Sequence, residues 1–207
     1  TCDKIISDYI KKIGGKVILT SIKHKRATTR TAEAKLKIER QQKVKIDAVV
    51  MIQGDEPTIS RKAISDTAKV LKKPKIQIVN VVSKIDKISE INNINNVKVI
   101  VNKKRQAIYY SRLPIPYSTL TKKNHIYLMQ TGIIGFKAAK LDEFNRMKET
   151  SLEKLESVDM NRLIENCSVI DLIFSKDSTI SVDTFSELKM AEKKISKDKL
   201  LKKYMKK

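Results

Sequence analysis

Apolar residues at Ile5, Ile6, Tyr9, Ile10 and Ile13 recur every three to four positions and predict a helix over 3–13, which Gly14-Gly15 ends. The run KVILT over 16–20 reads as a short buried strand, and 30–42 as a largely solvated helix. IDAVVMI over 46–52 is the clearest buried strand and leads straight into the turn Gln53-Gly54-Asp55-Glu56-Pro57. A helix over 60–71 and a strand over 76–82 follow. This alternation predicts parallel crossovers and an α/β sheet.

Strands over 97–101 and 107–111, joined by the polar residues between them, predict a β-hairpin. Residues 83–96 read as a crossover loop with helical turns. Pro114 and Pro116 make 112–124 an ordered loop. Residues 125–136 read as a strand bent around Gln130-Thr131-Gly132. Helices over 140–148 and 152–165, strands over 169–174 and 179–182, and a last helix capped by Thr184 complete the pattern. No repeat of 20 to 50 residues is present.

At 207 residues the chain fits one α/β domain, expected over 1–195, with 196–207 as a basic helix end or tail. Hydrophobic content of 41% beside 32% charged residues, with no apolar run of membrane-spanning length, argues against a membrane protein. Cys2 and Cys167 form neither a CxxC pair nor a zinc spacing, which favours a reducing, cytoplasmic setting. The net charge of +21 raises nucleic acid as a partner, yet only eight of the 44 basic residues are Arg and they are scattered, so nucleic acid is not expected. The chain opens Thr-Cys-Asp, so either something was removed or it is part of a longer polypeptide.

Asp55 lies just past the carboxyl end of a strand, where open α/β sheets place ligand-binding groups. Asp183 repeats the arrangement, ending the second of the two late strands. Two such carboxylates suit magnesium bound together with substrate phosphates. Taken singly, Asp55 also reads as a turn residue before Pro57, and Asp183 as a helix cap beside Thr184.

VVMIQGDEPTI (49–59) resembles the strand and loop of the CMP-3-deoxy-manno-octulosonate (CMP-KDO) cytidylyltransferases. Further matches follow in the family's order: GGKVILTS (14–21), TTRTAE (28–33), NVKVIVN (96–102), AIYYSRLPIPY (107–117), GIIGF (132–136), LEKLESVDMNRLIEN (152–166) and ISVDTFSELKMAE (180–192). The resemblance implies a Rossmann-like, GT-A-like nucleotide-diphospho-sugar transferase fold, a mixed sheet flanked by helices. It implies transfer of CMP from CTP to an acidic 3-deoxy sugar for lipopolysaccharide precursor synthesis, with Mg2+ as cofactor and a homodimer as the assembly.

Carried over by position, Asp55 and Asp183 become magnesium ligands and catalytic residues. Gln53, Arg112, Gln130, Glu153 and Glu156 fall on the sugar side, and Arg30 near the nucleotide. Arg26-Ala27 stands where the family usually has Ser-Gly, Gln130 where it usually has His, and Phe185 where it commonly has Pro. The family's opening strand and basic triphosphate loop have no counterpart here. The resulting expectation is an N-terminally incomplete member, poorly active alone. The alternatives are activation of another acidic sugar, or a noncatalytic remnant or nucleic-acid-binding basic protein.

Overall fold

The computed structural model describes residues 1–118, 126–198 and 201. Residues 119–124 of the loop expected over 112–124, His125 at the start of the strand expected to bend, and most of the basic tail lie outside the described residues. The helices are α1 (Lys4–Lys12), α2 (Ala27–Gln42), α3 (Arg61–Leu71), α4 (Ile88–Asn92), α5 (Ala138–Arg146), α6 (Ser151–Glu156), α7 (Met160–Glu165) and α8 (Phe185–Ile195). The strands are β1 (Ala48–Ile52), β2 (Ile78–Ile85), β3 (Lys98–Val101), β4 (Ala107–Ser111), β5 (Tyr127–Lys137) and β6 (Asp171–Ser175).

β5 is the spine of a mixed sheet. β2 runs antiparallel along one of its edges and carries β6 in parallel. On the other edge β1 covers Ile133 to Lys137, while β3 meets β5 at Met129 and carries β4 as a hairpin. The neighbour therefore changes at Gln130–Gly132, where the Gln130 amide donates to the Val97 carbonyl (2.8 Å) and the Gln53 amide to the Gly132 carbonyl (2.9 Å). Facing this change, the β2–β5 register slips between Asn80 and Val82. A bulge strands polar groups that need partners. Buried Asn80 donates its side-chain amide to the carbonyls of Ile133 (3.0 Å) and Thr131 (3.4 Å), and the Thr131 hydroxyl donates to Val81 (2.9 Å).

Alternate side chains of the sheet enter opposite layers. Ile78, Ile134, Phe136 and Tyr110 pack with Ala32, Leu141, Phe144 and Leu163 of α2, α5 and α7. Val81 and Ile133 pack with Ala63 of α3 on the other face.

Several expectations are corrected. Among the described residues only β2 and β6 pair in parallel, because antiparallel β5 is inserted between β1 and β2. Residues 16–20 form no strand: Thr20 and Ile18 bond to Thr1, and Leu19 is exposed. Residues 179–182 are likewise irregular, tied through Ile180 to the Thr58 hydroxyl and through Val182 to the Asp55 carbonyl. The helix expected over 152–165 breaks in two at Ser157, whose φ of 52° is left-handed. β1 is only half-buried, since its second edge has no strand partner among the described residues. The apolar face of α1 is exposed, at 81% for Ile5 and 61% for both Tyr9 and Ile13.

Candidate active site

The change of neighbour along β5 opens a cleft of about 380 Å³. Gln53, Asp55, Arg112, Gln130 and Asp183 all line it. The turn after β1 reaches the cleft because Gly132 lets it lie against β5: a Cβ there would meet the Gln53 Cβ at 2.8 Å and Glu56 Oε1 at 3.0 Å. The Val182 amide donates to the Asp55 carbonyl (2.8 Å), bringing the approach to α8, and with it Asp183, to the same lip. A capping box between Thr184 and Glu187 then starts α8.

The side-chain carboxylates of Asp55 and Asp183 accept no hydrogen bond and form no ion pair among the described residues. Two unspent carboxylates on one lip are a donor set that suits a hard divalent cation, whose remaining positions substrate oxygens fill. Among the described residues no group of three or more His, Cys, Asp or Glu gathers as an all-protein metal cage. Gln130 lines the cleft, and its side-chain Oε1 is buried with no hydrogen-bond partner, an unspent acceptor.

Arg112 is anchored by carbonyls: Nε donates to Glu156 (2.8 Å), Nη1 to Ile94 (2.9 Å) and Nη2 to Ser157 (3.3 Å). Glu156 sits behind it. Burial pushes the Glu156 carboxyl up, but hydrogen bonds from the Arg112 amide, the Ser111 hydroxyl and the Tyr109 hydroxyl outweigh this, and the net shift is downward. Glu156 thus orients Arg112 and does not line the cleft.

Glu153, expected to face the sugar, is fully buried, with both oxygens held by Arg162 at 2.6 Å. Arg30 lies outside the cleft and lines a neighbouring hollow beside β1. Its guanidinium donates to the Thr20 hydroxyl (2.7 Å) and the carbonyls of Ser21 (3.1 Å) and His24 (3.2 Å), so it shapes the loop before α2.

The family model for cytidylyltransferases matches residues 1–173. The 3-deoxy-manno-octulosonate cytidylyltransferase of Phocaeicola vulgatus is 34% identical over 200 residues, covering 93% of this chain and 78% of the relative. The chain belongs to the 3-deoxy-manno-octulosonate cytidylyltransferase family. The Rickettsia typhi member is 37% identical over 188 residues, covering 91% and 75% respectively. The solved structure of a CMP:2-keto-3-deoxy-manno-octonic acid synthetase complexed with CTP superposes with a TM-score of 0.80 at 26% identity, over 94% of this chain and 78% of that one.

In this cytidylyltransferase, sequence reasoning passed over three contributors. Glu56 is buried beneath the cleft. Burial lifts its carboxyl to about 7 despite the hydrogen bond from the Gly132 amide, and nearby Asp55 and Asp183 add to the rise. Buried Lys98 props the wall that carries Asn96 and Arg112. Arg26 lines the cleft and reaches across to Ser157. Its departure from the family's Ser-Gly was the available signal.

Proposed function

We propose that the chain catalyses transfer of the cytidylyl group from CTP to 3-deoxy-manno-octulosonate, releasing pyrophosphate. The observation that carries this reading is the gathering of Asp55, Asp183, Gln53, Gln130 and Arg112 around one cleft, with both aspartate carboxylates unspent. As the anomeric hydroxyl oxygen bonds to the α-phosphorus, the hydroxyl proton passes to solvent water and the bond to the leaving pyrophosphate breaks. Asp55 and Asp183 would hold the metal ion, taken here as Mg2+. Such an ion supplies charge neutralisation at the α-phosphate and lowers the pKa of the attacking hydroxyl. Gln130 Oε1 accepts a hydrogen bond from a sugar hydroxyl. Arg112, fixed by Glu156 and by three carbonyls, keeps a charged wall on the acceptor side.

Residues 1–195 would act as one catalytic unit, and two unpaired cysteines fit a cytoplasmic setting. No described helix is long and apolar enough to cross a membrane. A homodimer is supported by the outermost position of β4 in the sheet, where Ile108 and nearby Leu113 and Tyr117 are exposed.

The test supplies CTP, magnesium and the sugar to this chain, and to the same chain extended by any in-frame codons upstream of Thr1. CMP-sugar and pyrophosphate should form together, and Asp55→Asn and Asp183→Asn should each lower turnover about 100-fold or more. Absence of sugar-dependent pyrophosphate release from both polypeptides would refute the reading.

A further inference from the structure

A buried hydroxyl stands behind the place where β5 changes neighbours. On β2, Val81 alone faces Thr131, Gly132 and Ile133 of β5, since Asn80 pairs with Ile134 and Val82 with Gln130. A bulge of this kind persists only if the polar groups it frees find partners. Asn80 supplies them, its side-chain nitrogen donating to the carbonyls of Ile133 (3.0 Å) and Thr131 (3.4 Å). The Tyr110 hydroxyl, reaching in from β4, donates to Asn80 Oδ1 at 3.2 Å. Asn161 of α7 in turn grips the Tyr110 backbone, accepting from its amide (3.2 Å) and donating to its carbonyl (2.9 Å). All three side chains are fully buried.

These contacts fix which way the Asn80 amide points. Carbonyl oxygens only accept, so the nitrogen must face them and the oxygen is left to the Tyr110 hydroxyl, its one donor among the described residues. Without that hydroxyl Oδ1 is buried and unpaired. Turning the amide over would set its oxygen against two carbonyl oxygens. Either way the hold of Asn80 on the bulge weakens.

The bulge in turn seats two glutamines that line the cleft. The Gln53 amide donates to the Gly132 carbonyl (2.9 Å) and the Gln130 amide to the Val97 carbonyl (2.8 Å), while the Gly132 amide donates to Glu56 Oε1. Asp55 has a further tie remote from the bulge, the bond from the Val182 amide to its carbonyl. The metal-binding lip is thus supported from α8 as well as from β5.

We infer that the Tyr110 hydroxyl is a positioning group for the sugar, which acts through Asn80 on the bulge and so sets where Gln53 and Gln130 stand. It touches no substrate itself. This rests on the cytidylyltransferase reading, in which both glutamines belong to the sugar side.

Tyr110→Phe removes one oxygen and keeps the ring, so the surrounding core stays filled. In this variant the KM for the sugar should rise about 5- to 20-fold, the worth of one buried hydrogen bond, with kcat and the KM for CTP within about twofold. Amide hydrogen exchange, followed residue by residue, checks the cause without turnover. Gln53, Gln130 and Gly132 should exchange about 10-fold faster than in the wild type. Lys137 and Ala138, whose amides bond to the Gln77 and Asp47 carbonyls at the far end of β5, should stay within about twofold. Equal acceleration at all five amides would reduce the hydroxyl to a general stabiliser, and no acceleration at the first three would detach it from the bulge; either result overturns the inference. An active Tyr110→Phe with an unchanged sugar KM overturns it too, and leaves the functional reading intact. Absence of cytidylyl transfer in the wild type refutes that reading, and the exchange pattern still decides whether the hydroxyl holds the bulge.

Discussion

The Lys98 ammonium donates to the carbonyl oxygen of Arg112 at 2.5 Å, and its other two protons go to the carbonyls of Asn93 (2.8 Å) and Asn96 (2.7 Å). A fully buried cation with three donors has met three acceptors, and the turn before β3 is pinned to the strand end that carries Arg112. Lys98→Met should leave these carbonyls unsatisfied and cost about 2–4 kcal/mol, read as a lowered denaturation midpoint. A midpoint unchanged from wild type would show that the clamp contributes nothing.

Glu56 makes stability depend on pH. Burial holds its carboxyl up at about 7 in the folded chain, against an ordinary value of 4.5. The folded state therefore holds a proton between these values that the unfolded state has lost. The contribution is complete below about 4.5 and is lost as pH rises through 7. Glu56→Gln, which keeps an oxygen for the Gly132 amide, should flatten this slope. At pH 8, without divalent ions, it should be more stable than wild type by about 1–3 kcal/mol. Thermal melts across the range decide it, and parallel slopes for the two proteins would count against the shift.

Gly132→Ala probes the contact between β5 and the turn after β1. The added methyl has no room beside Gln53 and Glu56, so the turn must move. A loss of about 1–3 kcal/mol is expected, together with weaker substrate binding. Full affinity in the alanine variant would mean that the turn does not need its seat on β5.

The Glu153–Arg162 pair is expected to govern folding and leave sugar selection to other residues. Arg162→Met strands a buried carboxylate and should cost about 3–5 kcal/mol, whereas pairing it with Glu153→Leu should restore much of the loss. Chemical denaturation of the single and double variants measures this. A selective rise in the sugar KM in Glu153→Gln, with stability unchanged, would return Glu153 to the sugar.

The contrast between Asp55 and Glu153 shows what the sequence could reveal. Asp55 follows an apolar strand and a turn, so its place at the sheet's ligand-binding end is set locally. Glu153 depends on a partner nine residues onward. On an unbroken helix those positions would lie on opposite faces, and only the left-handed Ser157 lets them meet. Nothing in LESVD signals that break by Gly or Pro. The β3–β4 hairpin and the irregular pairing of β5 around Gly132 were legible because alternation and a glycine mark them directly. Residues 16–20 and 179–182 have strand-like composition, but a strand also needs a partner backbone, which composition does not encode. The Arg26–Ser157 contact joins residues 131 apart, a tertiary fact with no local signal beyond an arginine where the family has small residues.

The edge of β1 that no described strand covers and the bare apolar face of α1 also govern how the polypeptide behaves in bulk. Unpaired strand edges and apolar patches invite molecule-to-molecule adhesion. A charge of +21 opposes it by long-range repulsion, but only where ions do not shield that repulsion. This chain should therefore stay dispersed in dilute buffer and cluster as salt is raised, the reverse of the handling that suits most enzymes.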